Sequence, residues 1–345
     1  MYKIIENTAI TSVIGDFNSN YYIILFQNDS FDYGIMHLAE HYIIRMIKKK
    51  DKSFWFGKTD FGYMFLLSRG EYIHLISILD IIDAVCQNSI SKFELIESKE
   101  EVIREINQSD LEKLNVFRFA SNGKIKCLPV GNADYIRNVS CKDMEKFLKE
   151  KIYKSYDVVY IGKEKLPYSL KKLNKFIYYS SLFSGVKIYT LNNNLYIYYN
   201  FHYNSENELY YYYLFKIFLY QYLQIENKEI NVFEKSLNIN NKLLYFVLNM
   251  ETKYKDLIDI IKDFDKENFI DIKLLLLNKC MSERAGELQL EEIVNETVQY
   301  KVFGDKDILF YMNKIDLHEA IKNFEYYYMK KYMMKIFHIN IDNRF

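Results

Sequence analysis

The apolar residues of this chain change period as it runs, and that change limits its fold more than any composition figure. Tyr22-Ile-Ile-Leu-Phe26 is a short run of β-formers, ended by the turn cluster Gln27-Asn-Asp-Ser30. The spacing then turns helical. Met36, Ala39, Tyr42, Ile43, Met46 and Ile47 fall on one face, and Lys48 to Lys50 close the helix with charge suited to its C-terminus. Phe54-Trp-Phe56 and Tyr63-Met-Phe-Leu-Leu67 read as strands, with Gly57 and Gly62 between them. Helices are expected from about Tyr72 to Cys86, from Lys92 to Asn107 and from Cys141, with a polar loop over 131–138 and a closing strand at Asp157 to Ile161.

The second half repeats the texture. Strands are expected at Val186 to Thr190, Leu195 to Tyr199 and Leu243 to Leu248. Helices are expected over 206–223, 254–264, 266–284, 288–300 and 317–332. The aromatic run Tyr210 to Tyr213 reads as the buried side of an amphipathic helix rather than a binding patch. Pro167, in the stretch from Gly162 to Lys175, marks a seam. The expectation is an α+β chain of two similar α/β domains, residues 1–165 and 176–345.

A chain of 345 residues that is 50% hydrophobic has ample material for two cores. Lys plus Arg and Asp plus Glu both number 46, so no net field gathers nucleic acid or anionic lipid, and neither is an expected partner. The cysteines at 86, 127, 141 and 280 form no Cys-x-x-Cys pair and read as reduced thiols. Glu6 and Asp16 interrupt the first apolar stretch, with no basic region before it. Asp80, Asp83 and Lys216 interrupt the apolar windows short of the ~18–20 clean residues a membrane span needs. A cytoplasmic location is therefore expected.

The chemistry concentrates in His37-Leu-Ala-Glu40-His41. On a helix His37 and His41 lie one turn apart on one face, where both imidazoles can reach a single metal ion. Glu40 sits beside that face, placed to take a proton from a water at the metal. Such a pattern arises by chance in about one chain in a hundred, so two ordinary histidines remain an open reading of the motif alone. The helix from Lys92 adds weight, because Glu94, Glu97, Glu101 and Glu105 form one carboxylate stripe opposite Val102, Ile103 and Ile106. A solvated acidic face is the plain reading of that stripe. A carboxylate near its end would complete a three-residue zinc site.

Gly34-Ile-Met-His-Leu-Ala-Glu-His41, followed by Glu100-Glu-Val-Ile-Arg-Glu-Ile106, resembles the insulinase/pitrilysin-type inverzincin zinc peptidases, in their short branch typified by the mitochondrial processing peptidase. Leu128-Pro-Val-Gly131, Ile136 to Ser140, Met144 to Phe147 and Val158-Val-Tyr-Ile-Gly162 follow in the order that family shows. Lys273 to Glu287 and Tyr311 to Asp316 are loosely similar to the helical end of its C-terminal domain. The resemblance implies two domains, each a mostly antiparallel sheet packed with helices, and a C-terminal domain without the metal motif. It implies zinc held by His37, His41 and Glu105, with Glu40 as general base in a metalloendopeptidase that cuts short or unfolded peptides. Glu101 competes with Glu105 as third ligand or stands behind it. Further implications are a substrate strand paired beside Gly57-Lys58-Thr59, a contact from Tyr245, a homodimer or heterodimer closing into a chamber, and a role in peptide maturation or leader removal. Three features depart from the family. The interval between His41 and Glu105 is short, Ser98 stands where an acidic residue is usual, and Asn238 falls where a substrate-binding Arg belongs, with no Arg between 138 and 283. These departures keep a second reading in view, a non-catalytic or substrate-capturing subunit of a two-chain peptidase.

Overall fold

The computed structural model describes residues 3–6, 11–15, 17–27, 34–51, 55–60, 63–108, 128–163, 186–191, 194–202, 206–226, 231–238, 241–249, 254–282, 293–294, 297–298, 301 and 317–337. The chain divides into two compact units, Met1–Arg118 with Gly123–Ile177, and Phe119–Asn122 with Tyr178–Phe345.

The first unit carries a six-stranded sheet in the order β1-β2-β6-β3-β5-β4. Its strands are β1 (Lys3–Glu6), β2 (Thr11–Ile14), β3 (Tyr21–Gln27), β4 (Trp55–Asp60), β5 (Tyr63–Arg69) and β6 (Tyr156–Gly162). Neighbours pair antiparallel except β2 with β6. The continuous apolar run of β3 suits its place between β6 and β5, where residues 22–26 are all buried. β4 lies at the edge.

Helix α1 (Ile35–Lys50) covers this sheet, burying Leu38, Ala39, Tyr42, Ile43 and Ile47 in one cluster with Ile24, Phe26, Met64 and Leu66. Gly34 caps its start with φ +103°, a left-handed conformation that glycine adopts without strain. Helices α2 (Tyr72–Gln87) and α3 (Lys92–Gln108) add Leu75, Ile78, Ile82, Leu95, Val102 and Ile106 to the same cluster. The segment expected as a polar loop instead contains α4 (Ala133–Asn138), because the Asn132 side chain accepts from the Tyr135 N–H and starts a turn. Helix α5 (Cys141–Phe147) follows from a capping box between Ser140 and Asp143, and continues as a π-turn over Leu148–Ile152.

In the second unit β7 (Val186–Leu191), β8 (Asn194–His202), β9 (Asn231–Asn238) and β10 (Asn241–Asn249) form a sheet in the order β7-β8-β10-β9, antiparallel throughout. Helices α6 (Glu206–Glu226), α7 (Tyr254–Asp263), α8 (Lys266–Ser282), α9 (Leu317–Asn323) and α10 (Tyr326–Phe337) accompany it. Tyr212, Phe215, Phe218 and Tyr222 of α6 are core residues, packed with Phe264, Phe269, Phe324 and Tyr332. The helix expected over 317–332 is two, divided after Asn323. Of the one expected over 288–300, residues 293–294 and 297–298 are described and helical; the rest of it, and most of the seam from 162 to 175, lie outside the described residues. Among the described residues no single helix is long and apolar enough to cross a membrane. Among the described residues α2 and α3 pass on length and composition only when taken as a pair, and they meet at a 105° bend.

Candidate metal centre

α1 and α3 face each other along two matched stripes. α1 offers His37, His41, Arg45 and Lys49, each four residues after the last, and α3 offers Glu105, Glu101, Glu97 and Glu94 in the opposite sense. His37 Nε2 lies 3.2 Å from Glu105, and His41 Nδ1 lies 3.2 Å from Glu101. Arg45 pairs with Glu101 and lies 3.8 Å from both Glu97 and Glu94, while Lys49 pairs with Glu94. The acidic stripe is thus met by bases along its length, and its first member, Glu94, is buried. The Lys48–Lys50 end of α1 is exposed.

The two imidazoles stand edge to face with ring centroids 4.9 Å apart. His37 Nδ1 lies 2.9 Å from the Val130 carbonyl oxygen. A carbonyl only accepts, so that nitrogen carries the proton and Nε2 of the neutral ring keeps its lone pair. His41 is oriented alike, its Nδ1 donating to Glu101 Oε2 at 3.2 Å. Both Nε2 atoms then point to Glu105, whose Oε2 is 3.2 Å from His37 and whose Oε1 is 3.4 Å from His41. One ligand atom from each of His37, His41 and Glu105 lies within 4.8 Å of the others. Two histidines with Nδ1 engaged and Nε2 converging beside a carboxylate fit a zinc ion with a position left open.

Backbone contact sets the His37 acceptor. A Cβ on Gly34 would sit 2.4 Å from the Gly131 Cα and 3.3 Å from the Val130 oxygen, so the start of α1 presses directly on the 128–131 turn. Only glycine allows that approach at φ +103°.

Glu40 is 5% exposed. Burial raises its pKa, against the lowering effects of His37 and of Thr59, whose Oγ1 donates to Glu40 Oε2 at 2.6 Å. Glu105 is held low, first by the hydrogen bond that His37 Nε2 donates when its ring is charged. Burial pulls the His37 pKa down, but Glu105, Glu40 and the Val130 carbonyl together raise it above the ordinary value. A cleft of about 860 Å³ opens over these groups, lined also by Arg45, Lys48, Phe56 and Lys58.

The structure therefore brings together His37, Glu40, His41 and Glu105. Glu101 stands one turn behind, against His41 Nδ1 and Arg45. Thr59 lies on β4 with its hydroxyl on Glu40. Tyr245 is on β10 of the second unit, opposite Tyr198 and Phe233. Sequence reasoning named Val130 and Gly57 within longer stretches but missed their parts here: Val130 acts through a backbone atom, and Gly57 through space it leaves empty. Arg45 was within reach, since it extends the four-residue spacing of His37 and His41.

No protein-family model matches the chain, and no curated protein matches it in sequence. Solved structures do. A protease from Helicobacter pylori aligns with TM-score 0.64 and 14% identity over 98% of this chain and 97% of its own. A peptidase M16 inactive domain from Pseudomonas fluorescens aligns with TM-score 0.63 and 11% identity over 99% and 96%. The periplasmic protease PqqL from Escherichia coli aligns with TM-score 0.62 and 12% identity, over 97% of this chain and 46% of that one. The fold is that of M16 peptidases, two mostly antiparallel sheets packed with helices.

Proposed function

We propose that this chain is a zinc metalloendopeptidase of the M16 type, acting on short or unfolded peptides. The observation that carries the reading is the convergence of His37 Nε2, His41 Nε2 and the Glu105 carboxylate within 4.8 Å, beside a buried Glu40. Zinc held by those three residues would supply Lewis-acid polarisation of a water and of the scissile carbonyl.

The chain's own residues perform the proton transfers. Glu40 accepts a proton from the attacking water as oxygen bonds to the carbonyl carbon, then returns it to the amine as the C–N bond breaks. A carboxylate whose pKa is raised by burial suits the first half of that shuttle, since it takes a proton from water more readily than an exposed one. The edge strand β4 borders the cleft and offers backbone groups to an extended peptide, giving affinity with limited sequence preference. Peptide maturation or leader removal is the role this mode of binding suits. A homodimer or a heterodimer with a related chain would add the substrate contacts that Asn238, in place of Arg, does not make.

One observation favours a second reading. The M16 fold also occurs in the protein described as an inactive domain, and the absent Arg is compatible with a subunit that captures substrate without cutting it. The complete His37, Glu40, His41 and Glu105 set favours the catalytic reading.

The test is cleavage of unstructured fluorogenic peptides by zinc-loaded protein. Wild type is expected to cut them, while Glu40→Gln keeps its zinc and loses about 10²–10⁴-fold in turnover. Equal turnover in the two proteins would exclude Glu40 as the base.

A further inference from the structure

Two residues of β4 meet the Glu40 carboxylate, one by a bond and one by leaving space. Thr59 Oγ1 donates to Oε2 at 2.6 Å. Two residues earlier on the same face, a Cβ at Gly57 would lie 2.5 Å from Oε1 and 2.8 Å from Cγ of Glu40, and 2.6 Å from Cδ1 of Ile44. Glu40 is 5% exposed, so its side chain has little open space to swing into. Ile44, one turn further along α1, closes the gap beside it.

We propose that Gly57 and Thr59 are positioning residues for Glu40: the edge strand fixes the carboxylate, and the Thr59 side chain serves the base and not the substrate. This rests on the peptidase reading. The hydrogen bond engages one oxygen, Oε2, and leaves Oε1 directed past the bare Gly57 Cα. A methyl group at residue 57 takes the space Oε1 occupies and forces the carboxylate to another rotamer. Loss of the Thr59 hydroxyl leaves Oε2 without its donor and frees the torsions that the bond holds. The strand that borders the substrate cleft is then also the strand that aims the base. A proton acceptor displaced by about 1 Å can cost on the order of 10²-fold in rate without weakening substrate binding.

The experiment uses the full-length zinc-loaded chain and one fluorogenic unstructured peptide. Wild type, Thr59→Val, Thr59→Ser and Gly57→Ala are compared in kcat, KM and zinc per chain. Anisotropy of the same labelled peptide on metal-stripped protein gives binding apart from turnover. Thr59→Val is expected to lose about 10-fold or more in kcat, with KM and peptide binding within about twofold of wild type. Thr59→Ser, which keeps the hydroxyl, recovers most of the loss. Gly57→Ala loses on the order of 10²-fold in kcat and retains its zinc. If Gly57→Ala does not fold, the Val and Ser pair decides. Unchanged kcat in Thr59→Val, or a raised KM with weaker peptide binding, would overturn the proposal, the latter by showing that Thr59 touches substrate. A wild type that binds zinc and cuts no peptide removes the peptidase reading and the proposal with it, an outcome distinct from an active wild type whose variants are equally active.

Discussion

Glu101 and Glu105 stand one helical turn apart on α3 and take different parts. Glu105 faces both Nε2 atoms, while Glu101 accepts from His41 Nδ1 and from Arg45. Glu105→Gln is therefore expected to abolish tight zinc binding, and Glu101→Gln to weaken it by about 10–100-fold, the usual effect of removing an orienting partner. Zinc titration of the two variants checks this, and a greater loss in Glu101→Gln would reverse the assignment. A second residue-scale prediction concerns Cys86, whose thiol burial pushes up to about 12. The thiolate is the reactive form, so at pH 8 an alkylating reagent should modify the half-buried Cys141 of the folded chain well before Cys86, as site-resolved mass spectrometry would show. The placing of His37 and His41 on one helical face with Glu40 beside it was legible in the sequence from spacing alone, and the acidic stripe offered a carboxylate without saying which. The choice between Glu101 and Glu105 was not, since it depends on how far α3 slides along α1. Nor was the Thr59 bond to Glu40, which joins a strand to a helix across 19 positions.

At the scale of elements, the seam between α1 and α3 carries the centre, and two contacts hold it. The first is the junction of Gly34 with Gly131. Gly34→Ala places a side chain at φ +103° and drives its Cβ into the Gly131 backbone, for an expected loss of about 1–3 kcal/mol in thermal or denaturant unfolding. Zinc affinity should fall as well, because the Val130 acceptor of His37 sits in the displaced turn; stability loss with unchanged affinity would detach that turn from the site. The second is the sheet-facing side of α1. Leu38 is fully buried between the histidine face and β3's cluster, and Leu38→Ala is expected to cost about 2–5 kcal/mol. Long elements with strong periodicity, α1, α3 and β3, were readable from spacing. The four-residue strands β1 and β2 were not, since each is too short to show a period: β2 gains its place by pairing with β6, and β1 by pairing with β2. α4 hid inside a polar stretch because its stability comes from the Asn132 cap and one buried residue, Ile136.

At the scale of the molecule, one fold persists among proteins that share 14% identity or less with this chain. In this chain the feature that carries the fold is the alternation of strand-like and helical apolar runs. Within that architecture the first unit holds every member of the metal set, which makes its metal content the property on which the functional account turns. The most direct measurement is elemental analysis of the purified full-length chain beside His41→Ala. The account predicts about one zinc per wild-type chain and its loss in the variant. A wild type that takes up no zinc even after incubation with the metal, or a variant that holds it equally well, would contradict it.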